Sequence, residues 1–125
     1  LGDYLAHFAH AIGVTGSQAY ETTALCKEAA ETNADAARWG YAPPDWIVRS
    51  HRHRHAEVRL PSRHVRQTVI TTPGWQMRSG YAYRGLSGRT SLPQFGGVAL
   101  IAGSAEPYSR ACVYPVEREP PEVCE

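Results

Sequence analysis

The chain alternates short apolar runs with polar, Gly- and Pro-marked breaks, and only one segment carries the wider spacing of a helix. "LGDYLAHFAHAIG" (1–13) is short and apolar and closes on Gly. It predicts a strand that runs into a loop. In "GSQAYETTALCKEAAETNADAARWG" (16–40), Leu25, Ala29 and Ala36 give a small-residue face near helical period. The predicted helix spans about 17–38, with Ser17 as N-cap and Glu21 placing an acid where the helix dipole favours one. Gly40 stops it, and Pro43–Pro44 forbids continuation. So much alanine predicts close packing against a sheet, and Cys26 is expected to pack with it.

After this helix the pattern turns to strands. "WIVRS" is a β-branched run that predicts a buried strand, and "AEVRL" predicts another. "VRQTVITTPGW" predicts a third, with a hard stop at Pro73–Gly74. "QMRSGYAYRGLSGRTSLPQ" is irregular and rich in Gly and Arg. "GGVALIAGSAEPYSRACVYPVE" predicts two strands joined around 103–107 as a hairpin. Strand, helix, then at least four strands means an α/β or α+β class with a mostly antiparallel set of strands. The expected division is one domain over 1–116 and a tail over 117–125.

Length and composition fit one small globular domain: 125 residues with 42 % hydrophobic positions. The formal net charge of +1 supplies no global field towards nucleic acid or membrane. The charge is uneven, however. Six arginines between Arg49 and Arg66 face one acid, Glu57, and 117–125 leans acidic. A local basic face of this kind attracts phosphates. No apolar run approaches the roughly 20 residues of a membrane helix. Cys26, Cys112 and Cys124 have no zinc-type pair spacing. Cys112 and Cys124 can pair only if the tail folds back, so a reducing, cytoplasmic setting is expected.

The sharpest chemistry lies in "VRSHRHRHAEV" (48–58), which sets His51, His53 and His55 on alternate positions with Arg52 and Arg54 between them. On a strand these three imidazoles share one face and could meet one metal ion. An exposed polar strand has the same spacing. The run comes directly after the buried strand "WIV", and loops at the C-terminal ends of strands carry sites in α/β sheets. A second pair, His7 and His10 in "AHFAHAIG", also ends an apparent strand. Two strand ends that each deliver histidines can meet across one crevice.

"PPDWIVRSHRHRH" resembles the last metal motif of the calcineurin-like metallophosphoesterases, Gly-His-x-His after a buried strand, with Ser50 in place of Gly. "AHAIG" is similar to their penultimate motif, with His10 matching its first histidine and Ala11 replacing the second. "TTPGWQMRSGYAYR" and "PQFGGVALI" resemble the segments downstream of the last motif in a phage and prophage branch of the family. The resemblance covers about 5–116. It implies an αββα sandwich holding two divalent metals (Mn, Fe, Zn or Mg), which polarise a phosphate ester and activate a water. His10 and His51 would ligate one metal and His53 the other, with His7 and His55 as possible extra ligands. Arg52, Trp75 and Arg78 would border the substrate.

The family's Asp-x-His, Gly-Asp-x-x-Asp and Gly-Asn-His motifs are missing. "GDYLA" begins like the second, but Ala6 stands where Asp belongs. The resemblance therefore implies only the C-terminal half of such a domain. The chain is expected to be a fragment, a subunit of a split enzyme, or a degenerate remnant. Its expected partner is an N-terminal half from the same or another polypeptide, in a bacterial host cell if phage-encoded. A reading from another class is a non-catalytic phage-type structural or nucleic-acid-binding protein, with Trp75, Tyr81 and Tyr83 stacking on bases.

Overall fold

Trp46–Arg49 is buried at every position because the chain covers both of its faces. The structure, a computed structural model, describes residues 3–13, 17–61, 67–75, 94–103 and 106–115. In chain order the elements are β1 (Ala6–Ala9), α1 (Glu21–Trp39), β2 (Trp46–Arg49), β3 (Ala56–Leu60), β4 (Gln67–Thr71), β5 (Phe95–Ile101) and β6 (Tyr108–Tyr114). The first four strands form one sheet in the order β1-β2-β4-β3, and β5 and β6 form a separate two-stranded sheet. The molecule is thus mixed α/β, with one helix and two sheets among the described residues. None of the described helices is long and apolar enough to cross a membrane.

Strand alternation divides the core in two. Ile47 and Val69 point towards α1 and pack with Leu25, Ala29, Ala24 and Ile12. Trp46, Val48 and Ile70 point the other way, where Val98 and Leu100 of β5 cover them. The layers are therefore helix, four-stranded sheet and hairpin. Trp46, Leu25, Ile47, Ile70 and Val69 have the largest fully buried side chains. Each stabilises the fold by roughly 1.5–3 kcal/mol relative to exposure.

Three expectations need correction. The strands are not mostly antiparallel: their pairings divide evenly, with β1–β2 and β2–β4 parallel in the four-stranded sheet and β3–β4 and the β5–β6 hairpin antiparallel. A strand that returns through a helix enters its sheet in the same direction, which is what α1 imposes between β1 and β2. Ser17 does not cap α1. Its Oγ accepts from the Ala19 N–H at 3.3 Å within a 3-10 turn, Gln18–Tyr20, and α1 begins at Glu21 without a side-chain cap. Cys26 is exposed rather than packed. The helix stop is as expected: Gly40 takes φ 73, a left-handed conformation that costs glycine nothing, and donates its N–H to the Ala36 carbonyl.

Candidate functional site

Parallel pairing brings two histidines to one edge. Ala9 of β1 is in register with Arg49 of β2, so both strands end together. Just past these ends, His10 and His51 emerge side by side. The Ser50 N–H donates to the His10 carbonyl at 3.2 Å, extending the pairing past the last register position. His10 Nε2 and His51 Nδ1 then lie 3.2 Å apart, with the rings edge to face and their centroids at 5.2 Å. Two imidazole nitrogens bound to one tetrahedral ion at 2.0–2.1 Å would sit about 3.3 Å from each other. The pair therefore fits two neighbouring positions of a single metal, and equally a direct imidazole–imidazole hydrogen bond.

The histidine run is not a strand. The Arg52 N–H closes a three-residue turn onto the Ser50 carbonyl at 2.7 Å, with His51 at φ 65, the rarer and strained sense of such a turn. His53 is also left-handed, at φ 52. Positive φ at a non-glycine residue costs about 1–3 kcal/mol and persists only where its surroundings fix it. The expectation that His51, His53 and His55 share one strand face is thereby overturned, because two left-handed residues break the alternation.

Contacts distant in sequence hold this loop. The His53 carbonyl accepts from the Gln94 N–H at 2.8 Å, and Gln94 Oε1 accepts from the His55 N–H at 2.6 Å. The Gln94 carbonyl in turn accepts from the Gly74 N–H at 3.0 Å. The His53 ring lies directly against Gly74: a Cβ there would meet its Cγ at 2.9 Å. His55 turns its ring towards Glu57, with Nε2 at 3.9 Å from the carboxylate. Neither ring joins the His10–His51 pair.

The arginines serve the loop rather than solvent. Arg54 forms an ion pair with Glu21 at the start of α1, and Arg52 donates to the Gly13 carbonyl. Burial pushes both guanidinium pKa values down, and Glu28 partly offsets this at Arg52. The Nη1 of Arg52 is buried with no hydrogen-bond partner among the described residues. Below the loop, Arg49 donates from Nε to Glu28 at 2.7 Å, with its side chain only 5 % exposed. His7 points to this side, with Nδ1 3.5 Å from Arg49 Nη2. It lines a cavity of about 560 Å³ between β1 and α1 with Glu28, Thr32, Ala36 and Trp39. His7 therefore lies apart from the pair as well.

Trp75 is not a core residue, and among the described residues its ring contacts are with Phe95 and Tyr114 rather than a histidine. It is 67 % exposed and lies on the β5–β6 hairpin, 4.9 Å from Phe95 and 6.1 Å from Tyr114 between ring centroids. Arg78, Tyr81, Tyr83 and Cys124 lie outside the described residues, as does the proposed tail. Sequence reasoning missed Gln94, Gly74 and Glu28. Only Gly74 carried a signal, the Pro–Gly stop.

Among the described residues no three His, Cys, Asp or Glu side chains converge as a metal-binding group. The convergence of His10, His51 and His53 is thus realised for the first two only. No family model, curated protein or solved structure matches the chain.

Proposed function

We propose that this chain is the C-terminal part of a divalent-metal-dependent phosphoesterase of the calcineurin-like kind. The observation that carries the proposal is the His10–His51 pair, 3.2 Å between ring nitrogens at the ends of two adjacent parallel strands. The packing of α1 on the four-stranded sheet supports it, since it supplies one outer α layer and one inner β layer of an αββα sandwich. Imidazole donors suit zinc or iron better than manganese or magnesium. When bound, such ions polarise a phosphate ester and activate water.

The chain's own residues hold and orient. His10 and His51 would bind one ion. His53, fixed against Gly74 and Gln94, would serve the second once the missing half is in place. The buried Nη1 of Arg52 is a donor without an acceptor beside His51 and suits a phosphate oxygen. The nearby acids are engaged elsewhere. Glu28 pairs with Arg49 and Glu21 with Arg54. In this reading the bridging carboxylate that dinuclear sites need would come from an N-terminal half.

Titration calorimetry with zinc and manganese tests the ligand assignment. His10→Ala and His51→Ala should each weaken binding at least tenfold, whereas His55→Ala should not. Manganese-dependent cleavage of a chromogenic phosphodiester tests the half-domain assignment. The chain alone should be inactive, and a polypeptide carrying Asp-x-His, Gly-Asp-x-x-Asp and Gly-Asn-His should restore turnover. Unchanged metal affinity in His51→Ala, or robust turnover by the chain alone, would overturn the proposal.

A further inference from the structure

The two faces of the β5–β6 hairpin differ in kind. Val98 and Leu100 turn inward onto Trp46, Val48 and Ile70. The opposite face takes the alternate register pairs: Phe95 with Tyr114, Gly97 with Cys112, Ala99 with Arg110 and Ile101 with Tyr108. Trp75 lies on this outer face. Its Cζ2 sits 3.7 Å from where a Cβ on Gly97 would be, and its ring packs edge to face on Phe95 at 81°. Trp75, Tyr114 and Tyr108 are 67 %, 53 % and 51 % exposed. A hydrophobic core would enclose such rings; here Tyr108 and Tyr114 on β6 and Trp75 after β4 stand exposed.

Charge indicates what the face would meet. Residues 58–105 contain Arg59, Arg63, Arg66, Arg78, Arg84 and Arg89 and not one Asp or Glu. Arg110 stands on the face itself and has no acidic partner among the described residues. An overall charge near neutral thus conceals a long acid-free, cationic stretch. Exposed rings on either side of Arg110 match a ligand that pairs planar bases with a phosphate backbone. From Phe95 to Ile101 the strand runs roughly 20 Å at about 3.4 Å per residue, room for a few nucleotides between the Trp75 cluster and Tyr108.

We propose that this outer face binds single-stranded nucleic acid, with bases stacking on Trp75 and Tyr114 at one end and Tyr108 at the other, and Arg110 meeting the backbone. A duplex hides its base faces and should bind more weakly. The proposal stands independently of metal binding at His10 and His51.

Fluorescence anisotropy with a labelled oligothymidylate, in the presence of chelator, tests it. Trp75→Ala and Tyr114→Ala should each weaken binding by roughly five- to hundredfold, the range expected for loss of one stacked base. Trp75→Phe should retain most of the affinity. Arg110→Ala should lower the salt slope by about one. Trp39→Ala removes an equally exposed ring from α1 and should change nothing. Thermal melts check that each variant folds. Three outcomes would overturn the proposal: no binding by the parent chain, equal binding of duplex and single strand, or unchanged binding in both alanine variants. Self-association through this face, lost in Tyr114→Arg with no oligonucleotide bound, would show that a protein partner covers it instead.

Discussion

A side chain on Gly74 would collide with His53: the added Cβ would lie 2.9 Å from Cγ and 3.1 Å from Nδ1 of the ring. The ring cannot easily retreat, because the His53 carbonyl is tied to the Gln94 N–H and its backbone is left-handed. Gly74→Ala should therefore destabilise the chain by about 1–3 kcal/mol, the usual cost of overpacking. In a His53→Ala background the same change should cost much less. A double-mutant cycle by urea denaturation measures this coupling. Additive effects would mean that the ring is free to move.

Glu28 and Arg49 join α1 to the end of β2 beneath the histidine loop. Arg49 is almost fully enclosed, so Glu28→Ala leaves a buried guanidinium without its counter-charge. The expected cost is about 3 kcal/mol. The paired replacement Glu28→Leu with Arg49→Met removes both charges and should recover most of that loss. Urea midpoints at unchanged slope report both values. A single variant as stable as the parent would mean that water already solvates Arg49.

Much of the scaffold was legible because it derives from local pattern. The unbroken run Trp46–Arg49 marks a strand covered on both faces, and Gly40 with Pro43–Pro44 marks the helix end. The parallel pairing of β1 and β2 was also within reach, since a helical crossover is the usual connection between parallel neighbours. His10 and His51 could be paired from their positions after two strands. The fate of the other histidines could not. His53 and His55 are held by Gln94, about forty residues downstream, and no periodicity in the run encodes that contact. The left-handed turns at His51 and His53 are likewise invisible to an argument from alternation. The contacts of Arg52 with Gly13 and of Arg54 with Glu21 were hidden for the same reason, since these partners lie on an earlier part of the chain.

The left-handed backbone at His51 separates the cost of its conformation from the contacts of its ring. His51→Ala and His51→Gly both delete the imidazole and its 3.2 Å approach to His10. They differ only in how well residue 51 tolerates φ 65. In a helix or strand Ala is the more stable of the two, because Gly loses more freedom on folding. Here the order should reverse, with His51→Gly more stable than His51→Ala by about 1 kcal/mol, since a Cβ is disfavoured in this conformation. Both variants should lose metal affinity to the same extent, so any difference in melting temperature belongs to the backbone alone. Thermal denaturation in chelator gives the comparison directly. If His51→Ala proves equal or superior, the turn relaxes when the ring is removed, and the His10 contact itself is what holds the strained backbone in place.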